Sequence, residues 1–154
     1  MVKPGNNAIL FFYEVPTFGL RNRSKLKRFI ESIFEEEKKD IAALNYIFCS
    51  DERLLRLNRQ YLKHNYYTDV ISFEFSAAPE PTHGEIYISV DRVRENSKAL
   101  NEPFQRELHR AMFHGALHLC NYKDKTKSQK TEMRRKEEYH LNKYFSQVSR
   151  GTVS

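Results

Sequence analysis

Tryptophan is missing from this 154-residue chain, and cysteine, glycine and proline are scarce, at two, five and five residues. Two cysteines, Cys49 and Cys120, allow one disulfide at most, so no disulfide framework holds the fold. The low Gly and Pro content excludes collagen-like and low-complexity chains, and an apolar fraction of 40% excludes a wholly disordered one. No apolar run approaches the roughly 18 residues of a membrane span. The run Ala8–Tyr13 ends at Glu14, too early for a secretory core, and no small-residue cleavage site follows. These absences together read as a cytoplasmic protein with no membrane segment and with reduced, buried thiols.

What is present in excess is positive charge, 26 Lys and Arg against 20 Asp and Glu. The stretch Asn121–Ser154 holds nine basic and four acidic residues, which leaves 17 against 16 in the first 120. A cationic field confined to one end suits a polyanionic partner, phosphate first among them, and equally suits a solvated Lys-rich helix. Nine tyrosines offer rings that can stack on unpaired bases or fill a core.

Periodicity gives the element order. Ala8–Glu14, Ala43–Ser50, Val70–Phe75 and Gly84–Ser89 read as strands, rich in β-branched and aromatic residues. Leu44, Tyr46 and Phe48 alternate with Ile47 and Cys49, so the second strand is expected to be buried on both faces. Helical spacing appears over Ser24–Lys39 with Ser24 as cap, and over Asp51–Tyr61 with Asp51 as cap. Further helices follow to about Leu100, from Pro103 to Cys120, and from Ser128 to Phe145, with His64–Thr68 a polar loop. The order β-α-β-α-β-β-α-α-α predicts an α+β fold, a small mixed sheet covered by helices. One domain is expected over residues 1–146, with 147–154 a flexible tail.

Chemistry concentrates in Phe113–Asp124. On a helix His114 and His118 lie about 40° apart on adjacent turns, close enough for two imidazoles to grip one cation. A catalytic zinc site takes three protein ligands and keeps a fourth position open. Asp124 can be the third, provided the chain turns back after His118, and Asn121 tolerates the left-handed conformation such a turn needs. Two histidines at this spacing also occur as simple packing neighbours. The other histidines, His64, His83, His109 and His140, read as surface or packing residues; Glu107 and Arg110, near the His114 stripe, read as a surface ion pair one turn apart, with a supporting or catalytic role beside the metal as the alternative. Asp69 reads as a hydrogen-bonding residue at a strand entry.

The same segment resembles the signature of the YbeY family, H-G-x-x-H-L-x-G-Y-D-H. It matches at His114, Gly115, His118, Leu119 and Tyr122, and departs at Asn121, Lys123 and Asp124, the last in place of a third histidine. Leu57-Asn58-Arg59-Gln60-Tyr61 followed by Thr68-Asp69-Val70-Ile71-Ser72-Phe73 resembles the family's L-N-x-x-Y-R and T-D-V-L-S-F blocks, and Gly84–Ser89 its G-D-I-x-I-S strand. The resemblance implies an α+β fold with a zincin-like metal helix. It also implies a metal-dependent, single-strand-specific endoribonuclease of 16S rRNA 3′-end maturation and ribosome quality control. Its partners would be single-stranded rRNA or a ribosomal precursor and ribosomal proteins, not DNA. One Zn²⁺ or another divalent ion would sit on His114, His118 and Asp124, where a carboxylate hardens the site.

The family's arginine after the L-N-x-x-Y block falls on Leu62. Arg59, one helical turn earlier, and Lys63 are the candidate catalytic cations for developing phosphoryl charge. Two other readings stay open: a zinc hydrolase of peptides, and a ribosome-binding module with a structural metal. Gly115 stands where His-Glu-x-x-His peptidases carry their glutamate, which opposes the peptidase reading.

Overall fold

The computed structural model describes residues 8–64 and 68–153. Nine elements follow in the expected order: β1 (Ile9–Tyr13), α1 (Arg23–Glu36), β2 (Ile41–Cys49), α2 (Asp51–Tyr61), β3 (Val70–Glu74), β4 (Thr82–Ser89), α3 (Val90–Ala99), α4 (Phe104–Leu119) and α5 (Lys127–Val153). The four strands form one mixed sheet in the order β1-β2-β4-β3, with only β3 antiparallel to its neighbour. The α+β architecture read from the sequence is the one observed.

Strand alternation sorts the sheet into two faces. Leu44, Tyr46 and Phe48 of β2 and Ile86 and Ile88 of β4 point into the main core, shared with α1 and α4. Cys49, Leu54, Leu57 and Ile71 form a second cluster, where α2 covers part of the opposite face. Both cysteines are buried and free. Tyr46 anchors the sheet to α4 by donating its hydroxyl to the Met112 carbonyl, 2.9 Å away.

Several boundaries differ from expectation, each for a local reason. Helix α1 begins after Asn22, which takes a left-handed conformation (φ 53°) and makes no side-chain cap, so Ser24 is not the cap. Ser50, not Asp51, caps α2 by accepting from the Arg53 amide. Strand β4 starts at Thr82 because β2 continues as its parallel partner to Ile41. Helix α5 runs on to Val153, and Val148 still packs partly against the core. The expected His64–Thr68 loop lies partly outside the described residues.

Two of the packing histidines are deeply buried. His109 stacks on Tyr144 and holds the Gln105 carbonyl, 2.6 Å from Nδ1. His140 is 1% exposed against Phe29 and Tyr139, and neither ring nitrogen has a hydrogen-bond partner among the described residues. Burial pushes the His140 pKa down to about 4. An unfolded imidazole titrates near about 6.5, so the unfolded chain takes up this proton first. The stability held by neutral His140 is therefore complete above about pH 6.5 and declines as the pH falls toward the folded value. Replacing His140 by Leu is expected to remove about 2 kcal/mol of the acid-induced stability loss between pH 6.5 and 4, checked by urea titration of both proteins across that range.

Candidate metal centre

Helix α4 carries the site because its inward face is apolar and close-fitting. Leu108, Met112, Ala116 and Leu117 are buried, and Gly115 lies so near the sheet that a Cβ there would stand 2.6 Å from Ile86. The Ser72 hydroxyl of β3 donates to the Gly115 carbonyl. This contact fixes the helix against the edge strand, with His114 and His118 on either side of Gly115.

The helix ends in a Schellman motif. The Tyr122 amide donates to the Leu117 carbonyl and the Asn121 amide to that of His118, with Asn121 left-handed at φ 75°. The turn inferred at Asn121 is thus present. Four residues later a capping box opens α5: the Gln129 amide donates to Thr126 Oγ1, and Gln129 Oε1 accepts from the Thr126 amide. Asp124 sits between these two anchors.

Its Oδ2 lies 3.3 Å from Nε2 of His114 and 3.3 Å from Nε2 of His118. One ligand atom from each of the three residues falls within 4.8 Å of the others. Donors held about 2.0 Å from a tetrahedral zinc stand about 3.3 Å apart, so this spacing fits a shared cation. All three residues are half-buried, open to solvent on one side.

Behind the histidines lies a charged cluster that local spacing could not reveal. His114 Nδ1 donates to Glu137 Oε2 of α5 at 2.6 Å. Glu137 is 4% exposed and also meets Arg110, which reaches Glu107 at 3.1 Å and Glu138 at 2.5 Å. The Glu107–Arg110 pair expected at the surface is therefore buried, because α5 lies over it. Burial alone would lower the His114 pKa, but the hydrogen bond and charge of Glu137, with Asp69 and Asp124, raise it overall. His118 goes the other way, lowered by burial and by the neighbouring His114. Asp69, at the entry to β3, has its pKa raised by burial, while His114 pulls against that shift. It joins His114, Glu137 and Arg110 around a cavity of about 240 Å³.

Arg59 lies in the last turn of α2, and Lys63 follows it in left-handed backbone at φ 57°; both are exposed. In the loop after α4 and the first turn of α5, Lys123, Lys125, Lys127 and Lys130 are exposed. An open cleft of about 840 Å³ runs past Tyr122, Lys123, Lys127 and Ser128.

Fold and site together define an α+β protein with a candidate divalent-metal centre at the end of a buried helix. The family model described as Endoribonuclease YbeY matches residues 17–145. Proteins named Endoribonuclease YbeY from Cytophaga hutchinsonii and Flavobacterium psychrophilum are each 46% identical to this chain. The first aligns over 87% of this chain and 94% of its own length, the second over 86% and 94%. A solution structure of a Thermotoga maritima protein superposes with a TM-score of 0.59 at 25% identity, over 93% of each chain. The chain belongs to the endoribonuclease YbeY family, a family of enzymes.

His114→Ala and His118→Ala are each expected to abolish stoichiometric divalent-metal uptake, with Asp124→Ala retaining weak uptake and Asp124→His full uptake, measured by elemental analysis after dialysis. Glu137→Gln removes the charge that orients His114 and is expected to weaken divalent-metal binding by about 10–100-fold, read by calorimetric titration.

Proposed function

We propose that this protein is a metal-dependent endoribonuclease that cleaves single-stranded RNA at the His114–His118–Asp124 centre. The observation that carries the reading is the convergence of two imidazoles and a carboxylate beside a lysine-lined cleft, in a chain of this family. His114, His118 and Asp124 hold one divalent ion, with zinc favoured by the two nitrogen donors. Such an ion supplies Lewis-acid polarisation of a phosphoryl oxygen and acidifies water. Among the described residues the cluster offers three ligating side chains, one fewer than a closed structural zinc site, which favours catalysis over a purely structural ion.

The protein's own groups do the rest. Glu137 keeps the His114 ring turned so that Nε2 faces Asp124. Lys123, Lys125 and Lys127 attract the phosphate backbone to the cleft. Arg59 and Lys63 are the cations assigned to charge that develops on the phosphoryl oxygens. Gly115, packed on Ile86, leaves no room for the peptidase glutamate.

The substrate is single-stranded rRNA or a ribosomal precursor. The reaction serves 16S rRNA 3′-end maturation and ribosome quality control in the cytoplasm, with ribosomal proteins as neighbours. Free Cys49 and Cys120 accord with that reducing compartment, and residues 1–146 act as one metallohydrolase unit. The test is cleavage of a fluorescent single-stranded RNA and of its duplex by purified protein. Chelation and His114→Ala are expected to lower the single-strand rate by about 100-fold or more, with the duplex resistant throughout. Full activity after chelation overturns the assignment.

A further inference from the structure

Helix α1 carries its charges against its own dipole. The cations Arg23, Lys25, Lys27 and Arg28 all precede the carboxylates Glu31, Glu35 and Glu36, with no acid in the first turn and no base in the last. A helix favours negative side chains at its start and positive ones at its end, and like charges four residues apart, as in Arg23 and Lys27, repel. Local stability therefore does not account for the pattern. Tertiary pairing accounts for part of the acidic half, since Glu36 meets Lys143 and accepts from the Tyr139 hydroxyl of α5. In the basic half, Arg23, Lys25 and Arg28 are exposed, and among the described residues their side chains form no ion pair or hydrogen bond.

Two of these cations line a groove. Helices α1 and α5 lie side by side on α4. Phe29 of α1 and Tyr144 of α5 meet edge-on at 5.1 Å, and both rest on Phe113 of α4, at 5.2 and 5.9 Å. Above these rings opens a groove of about 340 Å³, with Lys25, Arg28 and Ser32 on the α1 side and Lys143 and Gln147 on the α5 side. Among the described residues no carboxylate lines it. Lys143 shares its charge with Glu36 at 3.4 Å, so Lys25 and Arg28 are the uncompensated cations. On α5 nothing offsets them, because no Asp or Glu follows Glu138.

The chemistry of the walls identifies the occupant. Exposed cations without counter-charge call for an anion. A protein partner would anchor through exposed aromatic or aliphatic side chains, yet Phe29 and Tyr144 are only 4% and 3% exposed. Covered rings cannot stack bases either. What remains is contact with phosphate, which fixes register and orientation and reads no sequence. Helix α5 ties the groove to the metal centre. Its Glu137 holds His114, and Lys143 and Gln147 follow about 9 and 15 Å further along the same axis. An RNA chain whose scissile phosphate sits at the metal reaches that far within a few nucleotides.

We propose that the α1–α5 groove is a second RNA contact, in which Lys25, Arg28 and Lys143 bind backbone phosphates of the segment flanking the cleavage point. This rests on the endoribonuclease reading and adds to it a sequence-independent anchor away from the metal. The test uses the full chain, with chelator present to prevent cleavage. Fluorescence anisotropy measures binding of a long oligouridylate across a salt series. Lys25→Gln/Arg28→Gln is expected to bind at least about tenfold more weakly at about 0.1 M salt. It is also expected to lower the slope of log affinity against log salt by about 1.4, for two lost phosphate contacts. Lys25→Arg/Arg28→Lys is expected to keep both values. Lys38→Gln/Lys98→Gln removes two exposed cations outside the groove and is expected to change affinity by less than about twofold. The urea midpoint of Lys25→Gln/Arg28→Gln is expected at or above that of the unaltered protein, because a cation in the first turn opposes the dipole.

Equal RNA affinity of that variant and the unaltered protein overturns the groove site and leaves the endoribonuclease reading standing. An equal loss in Lys38→Gln/Lys98→Gln reduces the effect to net charge and overturns the site as well. A lowered urea midpoint assigns the two cations to the fold, with the same consequence. Polyglutamate that binds the unaltered protein more tightly than RNA does, and fails to bind the variant, reassigns the groove to an acidic protein segment and overturns the proposal. Failure of the unaltered protein to bind RNA, or to cleave it once divalent metal is restored, overturns the endoribonuclease reading and the site together.

Discussion

The Glu137 carboxylate, 4% exposed, stands between an arginine and an imidazole on another helix, and the site depends on that placement. A buried carboxylate without partners is very costly, so α5 is stable only where Arg110 and His114 meet it. The converse holds for Arg110, which needs Glu107, Glu137 and Glu138 to justify its burial. Carboxylates outnumber cations around His114, since Asp69 and Asp124 also act on it. In a poorly solvated cavity that imbalance favours added positive charge at the ring. The raised His114 pKa expresses that demand, and a divalent ion at Nε2 would meet it. The interaction that docks α5 therefore also prepares α4 to receive a cation.

The same economy of parts governs Asp124. Its loop is pinned at one end by the left-handed Asn121 turn and at the other by the Thr126–Gln129 capping box. Side chains brace it from α1's end: Glu37 accepts from the Tyr122 hydroxyl and pairs with Lys136, while Lys39 donates to the last α4 carbonyl at Leu119. Asn121 performs the turn that the family pattern gives to glycine, because a short polar side chain tolerates the same backbone region. Asp124 in place of histidine brings a negative charge, and exposed Lys123 and Lys125 flank it in sequence.

The sequence displays its element order openly because each periodicity is local. Alternation in β2 and three-to-four spacing in α1 and α2 needed no knowledge of neighbours. The His114–His118 pair was legible for the same reason, and Asn121 marked the turn that returns Asp124. Glu137 was not legible, for it lies 23 residues beyond His114 on a different helix, and nothing in its own surroundings distinguishes it from Glu132 or Glu138. Of the two readings of Glu107 and Arg110, the surface pair fails, because α5 buries them, a contact their spacing does not show. The α1 start was missed similarly, since a left-handed Asn22 ends one segment without a capping side chain that could be read.

Sheet order explains how one short strand can bear both the metal helix and α2. Had β3 been central, helices would cover both of its faces and its alternating side chains would all be core. As a five-residue edge strand it is thin and open, with Ser72 engaged by the metal helix and Phe73 by Tyr61 on the reverse. Exposed edges invite pairing with other strands, and shortness limits that hazard. The antiparallel return from β3 to β4 then sets Glu85 and Tyr87 beside Phe73, while Gly84 admits Leu119 from the end of α4.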